Sequence, residues 1–261
     1  MSNRERNIQV FRDTQEYIAA KLQQQTEKSV SETRVYKENF KTQREIPQDK
    51  PIIKVIQTGT TEAAEEPAKR YGRVAILNFA SAKNPGGGVE NGSSAQEEAI
   101  CRVSNLFNCL KYSDNAKRDF YNYRSDLMYT NRVVYSPDVQ IFKRDDGSFL
   151  TTPFSVDVLT CAAPNLRYGL PTEQEYRKLL GNRMAQLFNA AAENNAEAFV
   201  LGAWGCGVFG NPPEIVADEF RKTIENDGLG NYFKEIVFAV YAANERDRKN
   251  VLAFKRAFEK F

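Results

Sequence analysis

The chain has 261 residues, of which 41% are hydrophobic, a size and composition ordinary for a single folded α/β domain. Its 36 basic and 34 acidic side chains leave a formal net charge of +2, which excludes a broad electrostatic attraction to nucleic acid. The chain contains no histidine, so Ser-His-Asp triads, HExxH metal hydrolysis and almost every histidine-ligated metal site are excluded. Acid–base chemistry must therefore use carboxylates, Tyr, Lys or Cys.

The cysteines and the apolar runs bear on compartment and cofactors. No two of the four cysteines have CxxC spacing: Cys101, Cys109, Cys161 and Cys206. We therefore expect free thiols in a reducing compartment, without a metal ion or a cofactor. Because no apolar run is long enough to span a bilayer and the first 22 residues lack a signal-peptide core, we expect a cytoplasmic protein, or a nuclear one in a eukaryote.

The predicted elements begin with a polar helical segment. Its apolar residues recur at helical spacing: Val10, Phe11, Tyr17, Ile18 and Leu22. No Gly or Pro interrupts it before Pro47. We therefore predict an N-terminal helical extension over 1–50, packed on a single domain over 51–261.

Strands and helices alternate through the rest of the chain. Strands are predicted at 52–59, 73–81, 154–165, 197–204 and 235–242, and a hairpin at 139–150 with its turn at Asp146-Gly147. Helices are predicted at 60–72, 95–113, 172–195, 214–227 and 246–261. This alternation predicts an α/β sandwich around a largely parallel sheet.

Two Gly-rich loops, 83–94 and 205–213, each follow a predicted strand and lead into a helix. Ligands of α/β sheets bind outside the carboxyl ends of strands, and backbone N–H groups at a helix start can hold phosphate. Neither loop is a Walker A motif, and the G-x-G-x-x-G spacing at 205–210 lies too late in the chain for a first βαβ unit. Each loop alone could be a tight turn, but the two together favour an extended, phosphate-bearing ligand.

The first loop carries the most specific motif, because Gly86, Gly87 and Gly88 are followed seven residues later by Gln96, Glu97 and Glu98. This arrangement resembles the signature of the microbial-type poly(ADP-ribose) glycohydrolases, a branch of the macrodomain superfamily. The loop at 201–213 is similar to the second, diphosphate-contacting loop of that family. The resemblance implies a macrodomain-like α/β/α sandwich with a mixed, largely parallel sheet. It also implies hydrolysis of the ribose–ribose bond from the end of the polymer, releasing ADP-ribose.

The resemblance also implies roles for individual residues. Glu98 corresponds to the catalytic glutamate, Glu97 to a neighbour that binds the terminal ribose, and Asn84 to the asparagine that orients this ribose. The other substrate-binding positions are Gly86, Gly87, Gly88, Gln96, Gly205, Gly207, Val208 and Phe209. The adenine-contacting residues of related macrodomains do not map onto this chain, where the first strand–helix junction is 57–64.

The chemistry of glycoside cleavage agrees with this assignment. The leaving oxygen must be protonated and water must then be activated, which one carboxyl group of raised pKa can do in turn. A helix N-terminus, however, favours the ionised carboxylate. The residues also permit an ordinary structural reading, with Ser94 and Glu97 as a helix capping box and Glu98 paired with Arg102. We predict that Trp204 and Cys206 serve packing, whereas Phe209 could face either the core or a ligand.

Two other functions stay open at this point. Many macrodomains bind ADP-ribose without cutting it, although such a reader does not need paired glutamates after the triple glycine. The sequence distinguishes poorly between a poly(ADP-ribose) glycohydrolase and a hydrolase that removes single ADP-ribose units. In either case we expect poly(ADP-ribose) or ADP-ribosylated protein as the partner and ADP-ribose as the product, in ADP-ribosylation reversal such as the DNA damage response. We expect a monomer that binds neither membrane nor nucleic acid.

Overall fold

A seven-stranded sheet organises the part of the chain that the computed structural model describes, residues 2–123, 128–169, 171–245 and 247–259. The strands are β1 (Arg34–Tyr36), β2 (Ile52–Ile56), β3 (Val74–Phe79), β4 (Val133–Lys143), β5 (Phe149–Cys161), β6 (Ala198–Leu201) and β7 (Glu235–Ala239). Their order is β1-β4-β5-β3-β6-β7-β2. The pairs from β5 to β2 are parallel, whereas β4 runs antiparallel to both neighbours. The predicted mixed, largely parallel sheet is confirmed.

The central strands are apolar on both sides because helices cover both faces of the sheet. Along β3, Leu77 points into one buried cluster and Ile76 into the other. Phe199 and Val200 divide in the same way along β6. This alternation places a hydrophobic core on each face of the sheet.

The helices of the described residues differ from the prediction mainly in where they break. They are α1 (Asn3–Lys21), α2 (Gln23–Glu32), α3 (Thr60–Arg70), α4 (Gln96–Val103), α5 (Leu106–Tyr112), α6 (Asp114–Ala116), α7 (Glu173–Glu193), α8 (Pro213–Arg221) and α9 (Arg248–Phe258). The single helix predicted over 95–113 is wrong. Ser104 donates to the Ile100 carbonyl at 2.7 Å and accepts from the Leu106 amide at 3.2 Å, so its side chain replaces the helical backbone bonds.

The first 50 residues are joined to the sheet. After α2 the chain forms β1, which pairs with β4 through Arg34 and Tyr135, so this segment is not wholly helical. The boundary at residue 50 stays a prediction. At the other end, the predicted helix 246–261 is observed as α9, and residues 246, 260 and 261 lie outside the described part. None of the described helices is long and apolar enough to cross a membrane.

Candidate active site

Both Gly-rich loops leave the same edge of the sheet. The first loop, residues 80–95, follows β3, and the second, residues 202–212, follows the neighbouring strand β6. Because β3 and β6 are parallel, their carboxyl ends bring the two loops side by side. The loops border one cleft of about 1150 Å³. The predicted placement of both loops at strand ends is confirmed.

The buried carboxyl group of Glu97 lies beneath the first loop and is 3% exposed. Its oxygens accept hydrogen bonds from the Ser81 amide at 2.7 Å and from the Asn78 side chain at 3.3 Å. Burial raises the pKa of Glu97 from its ordinary value of 4.5 to about 8; the charge of Glu98 adds to the rise, and the hydrogen bonds oppose it. Burial therefore favours the protonated form of Glu97, although the helix N-terminus at which it lies favours the ionised form.

Glu98 lies beside Glu97 and is 7% exposed. The backbone N–H of Gly88 donates to its Oε1 at 2.9 Å, which fixes the carboxyl group against the loop. Gly87 separates the two acids and has φ +60°. A Cβ atom at Gly87 would lie 2.4 Å from Oε1 of Glu98 and 3.2 Å from Oε2 of Glu97. The loop can pass over the acid pair only because this residue has no side chain.

The alternative interpretation, in which Ser94 and Glu97 form a helix capping box and Glu98 pairs with Arg102, is wrong. The cap of α4 is Ala95, not Ser94, and no side chain caps this helix. Glu97 therefore makes no capping box and reaches back to β3 and Ser81. Glu98 and Arg102 interact electrostatically, but no ion pair within 4.0 Å joins them in the described residues, and the Arg102 guanidinium donates to the Ser93 carbonyl at 2.5 Å.

The other first-loop positions make mostly protein contacts. The Gln96 side chain accepts from the Phe79 amide at 2.8 Å and donates to the Leu77 carbonyl at 2.7 Å, so it ties α4 to β3 at the border of the cleft. Gly86 packs so closely that a Cβ atom would lie 2.7 Å from the Phe107 ring. Asn84 is exposed at the start of the loop, and its carbonyl accepts from the Gly87 amide at 2.9 Å.

The second loop presents an open glycine to the cleft. Apart from its chain neighbours, no atom lies within 4 Å of a Cβ placed on Gly207. A Cβ placed on Gly205 would instead lie 2.4 Å from the side-chain amide nitrogen of Asn211. Val208 is 67% exposed, and Phe209 is half-buried with its ring 5.9 Å from that of Tyr129. All four predicted residues of this loop border the cleft.

Two neighbours of the second loop serve packing. Trp204 is fully buried and its indole N–H donates to the Cys161 carbonyl at 3.1 Å. Burial raises the pKa of the Cys206 thiol far above its ordinary value, so this cysteine stays uncharged. The packing predictions for both residues are confirmed.

Comparisons with known proteins agree with this geometry. The family described as microbial-type PARG, catalytic domain, where PARG is poly(ADP-ribose) glycohydrolase, matches residues 8–144. The structure is similar to that of the Thermomonospora curvata enzyme, with 32% identity, 98% of this chain and 100% of that chain covered, and a TM-score of 0.88. The chain belongs to the microbial-type poly(ADP-ribose) glycohydrolase family. It is a glycosidase that acts on poly(ADP-ribose).

Two further structures of such glycohydrolases are similar. The Thermomonospora curvata enzyme bound to the inhibitor ADP-HPD shares 31% identity, with 98% of this chain and 100% of that chain covered and a TM-score of 0.84. The Deinococcus radiodurans enzyme in complex with ADP-ribose shares 32% identity, with 90% and 96% covered and a TM-score of 0.81. A comparison with curated proteins found no match.

The glycohydrolase cleft also includes parts of the chain that the sequence analysis missed. Asn7 of α1, Asp146 of the β4–β5 turn and Asn250 of α9 all border it. A sequence signal existed for α1, since Ser2 and Glu5 form the S-x-x-E capping box that marks its start. Asn78, the partner of Glu97, was visible as the single polar residue in the apolar run of β3. Among the described residues, no group of three or more Cys, Asp and Glu could hold a metal ion.

Proposed function

We propose that Glu98 is the general acid and then the general base in hydrolysis of the ribose–ribose bond, and that Glu97 binds the terminal ribose. One observation carries this proposal: two buried carboxyl groups lie next to Gly87, at the border of the cleft between the two Gly-rich loops. Buried paired acids are unfavourable in a purely structural role, because one must stay protonated without an ion pair.

The proposed reaction needs only this chain and water. Glu98 gives its proton to the leaving ribose oxygen as the C–O bond breaks, which leaves an oxocarbenium-like ribose. The resulting Glu98 carboxylate then takes a proton from the water that attacks this carbon. Hydrolysis therefore restores the acid and releases ADP-ribose, without a metal ion or a cofactor.

The raised pKa of Glu97 supports its part in this scheme. A protonated Glu97 has an O–H group that can donate a hydrogen bond to a ribose hydroxyl oxygen, and an ionised one could only accept. A neutral Glu97 also means that no second negative charge lies beside Glu98 once Glu98 has given its proton to the leaving oxygen.

We propose that ADP-ribose binds between the two loops, with its diphosphate near Gly87 and Gly207. The open space at Gly207 supports this placement, as does ADP-ribose binding by the similar Deinococcus radiodurans enzyme. Phe209 would then lie near the distal ribose, and Asn84 would orient the terminal ribose that Glu97 binds. Attack from the polymer end is supported by α1, because Arg6 donates to the Asp146 carbonyl at 2.6 Å and ties together two segments that border the cleft. We propose that this contact closes one end of the cleft to a polymer interior.

We propose a monomer that acts on poly(ADP-ribose) or ADP-ribosylated protein in the cytoplasm, or in the nucleus of a eukaryote, without direct binding to nucleic acid. The near-neutral charge of +2 supports the last point, since nucleic-acid binding requires neutralisation of phosphates by clustered basic residues.

The test is a time course with long poly(ADP-ribose) and, separately, with a protein carrying single ADP-ribose units. The proposal predicts free ADP-ribose from the first time points and gradual shortening of the polymer. Early release of oligomers would overturn the exo assignment. Release from the mono-modified protein alone would favour the mono-ADP-ribosyl hydrolase, and binding without any release would favour a non-catalytic macrodomain.

A further inference from the structure

We infer that the first turn of α1 positions the catalytic carboxyl group of Glu98, through hydrogen bonds that Arg4 and Asn7 make to the first loop. This inference rests on the proposed role of Glu98. It gives the N-terminal segment a task in the chemistry besides bordering the cleft.

Two side chains of α1 hold the far end of the first loop. Arg4 Nε donates to the Asn91 carbonyl at 2.8 Å, and Asn7 Nδ2 donates to the Gly92 carbonyl at 3.1 Å. The helix backbone also touches the loop. Gly92 has φ +76°, and a Cβ atom there would lie 2.4 Å from the carbonyl oxygen of Arg4. The loop can approach α1 this closely only because residue 92 is glycine.

The held segment connects directly to Glu98. The amides of Asn91 and Ser93 both donate to the Gly88 carbonyl, at 3.0 and 3.1 Å. Gly88 in turn donates its own N–H to Oε1 of Glu98 at 2.9 Å. Three hydrogen bonds in succession therefore lead from Arg4 to the carboxyl group, and the hydrogen bond that orients Glu98 depends on the position of the 88–93 turn.

The rest of α1 is anchored independently of this first turn. Phe11 packs edge-on against Phe107 with ring centroids 5.0 Å apart, and Thr14 Oγ1 donates to the Arg102 carbonyl at 2.5 Å. Arg4 is exposed, so its hydrogen bond contributes little to the free energy of unfolding. Arg4 also does not border the cleft, so loss of its side chain removes no substrate contact. A change in turnover on its removal must therefore act through the loop.

The test is Arg4→Ala in the full chain, with Arg12→Ala as the matched control. Arg12 is an exposed arginine of the same helix, so the control removes the same charge away from the loop. A displacement of a catalytic group by a fraction of an ångström lowers turnover by roughly ten- to a hundredfold. We expect this fall in kcat for Arg4→Ala, with KM, ADP-ribose affinity and Tm close to those of the unmodified chain. Arg12→Ala should keep normal kcat.

A second variant, Asn7→Ala, removes the neighbouring hydrogen bond and should lower kcat in the same way. The inference is overturned if Arg4→Ala keeps normal kcat, or if kcat falls only in step with Tm or equally in Arg12→Ala. A fall in Asn7→Ala alone also overturns it, because Asn7 borders the cleft and its loss could remove a substrate contact. Glu98→Gln separates this inference from the proposed function. If Glu98→Gln is inactive while Arg4→Ala and Asn7→Ala turn over normally, only the positioning role fails; if Glu98→Gln is active, the proposed role of Glu98 fails.

Discussion

The two Gly-rich loops leave neighbouring strands at one edge of the sheet, yet their glycines are needed for different reasons. In the first loop the space beside Gly87 is filled by the carboxyl groups of Glu97 and Glu98. In the second loop the space beside Gly207 is empty within 4 Å. The first loop is shaped around the protein's own acids, whereas Gly207 leaves room for something outside the chain.

This difference assigns separate tasks to the two loops. The diphosphate would lie near both loops, but the first loop also fixes the acids that would perform the chemistry, whereas the second would serve binding alone. Substitutions in the first loop should therefore impair turnover, and substitutions at Gly207 should impair binding. A loss of binding alone in the first loop, or a loss of turnover alone at Gly207, would contradict this comparison.

Among the glycine substitutions that test this comparison, the largest effect is expected for Gly87→Ala. The added Cβ would lie 2.4 Å from Oε1 of Glu98, which is too close, so this oxygen must move. It can move because it is the free end of a side chain. Hydrolysis should fall by roughly 10²-fold, the order expected for a misplaced catalytic group. The positive φ adds a stability loss of about 1–2 kcal/mol. Gly228→Ala is the control, because it has φ +72° but no close neighbour and lies outside the cleft; equal loss of hydrolysis in both variants would contradict this account.

A smaller effect, confined to binding, is expected for Gly207→Leu. The side chain would enter the open cleft, and steric conflict with a bound phosphate costs about 1–3 kcal/mol, or roughly 5- to 150-fold in affinity. Calorimetry should show weaker ADP-ribose binding at unchanged Tm. Gly72→Leu is the control, since Gly72 also has free space around it but lies outside the cleft. Unchanged affinity in Gly207→Leu would mean that the second loop does not approach the ligand.

The third prediction concerns stability instead of turnover or binding, through the pH dependence that Glu97 confers. Its pKa is about 8 in the folded chain against an ordinary 4.5, so the folded state binds the extra proton between these values. The stability that this proton confers is fully present below pH 4.5 and is lost as the pH rises through 8. Glu97→Gln has no such proton, so Tm of the unmodified chain should fall relative to that of the variant between pH 5 and 9. Parallel Tm curves would mean that Glu97 is not buried in this way.

The sequence predicted the positions of the two loops better than the tertiary contacts that hold them and their neighbouring helices. The order of strands and helices and the placement of both loops followed from local periodicity and glycine spacing. The tie from Arg4 to Asn91 joins residues 87 positions apart and leaves no periodic pattern. The break of the predicted helix at Ser104 depends on a side chain that replaces backbone bonds, which helical periodicity does not register. For the same reason the local S-x-x-E pattern at Ser94 suggested a cap, although tertiary contacts draw Glu97 to Ser81.

The most direct test of the central claim is Glu98→Gln, measured for polymer hydrolysis, ADP-ribose affinity and Tm. Gln keeps the size of the side chain and an oxygen to accept the Gly88 hydrogen bond, but it can neither give a proton to the leaving oxygen nor take one from water. The account predicts that hydrolysis falls by roughly 10²–10⁴-fold, the usual contribution of a general acid–base residue, while affinity and Tm change little. Near-normal hydrolysis by Glu98→Gln would contradict it.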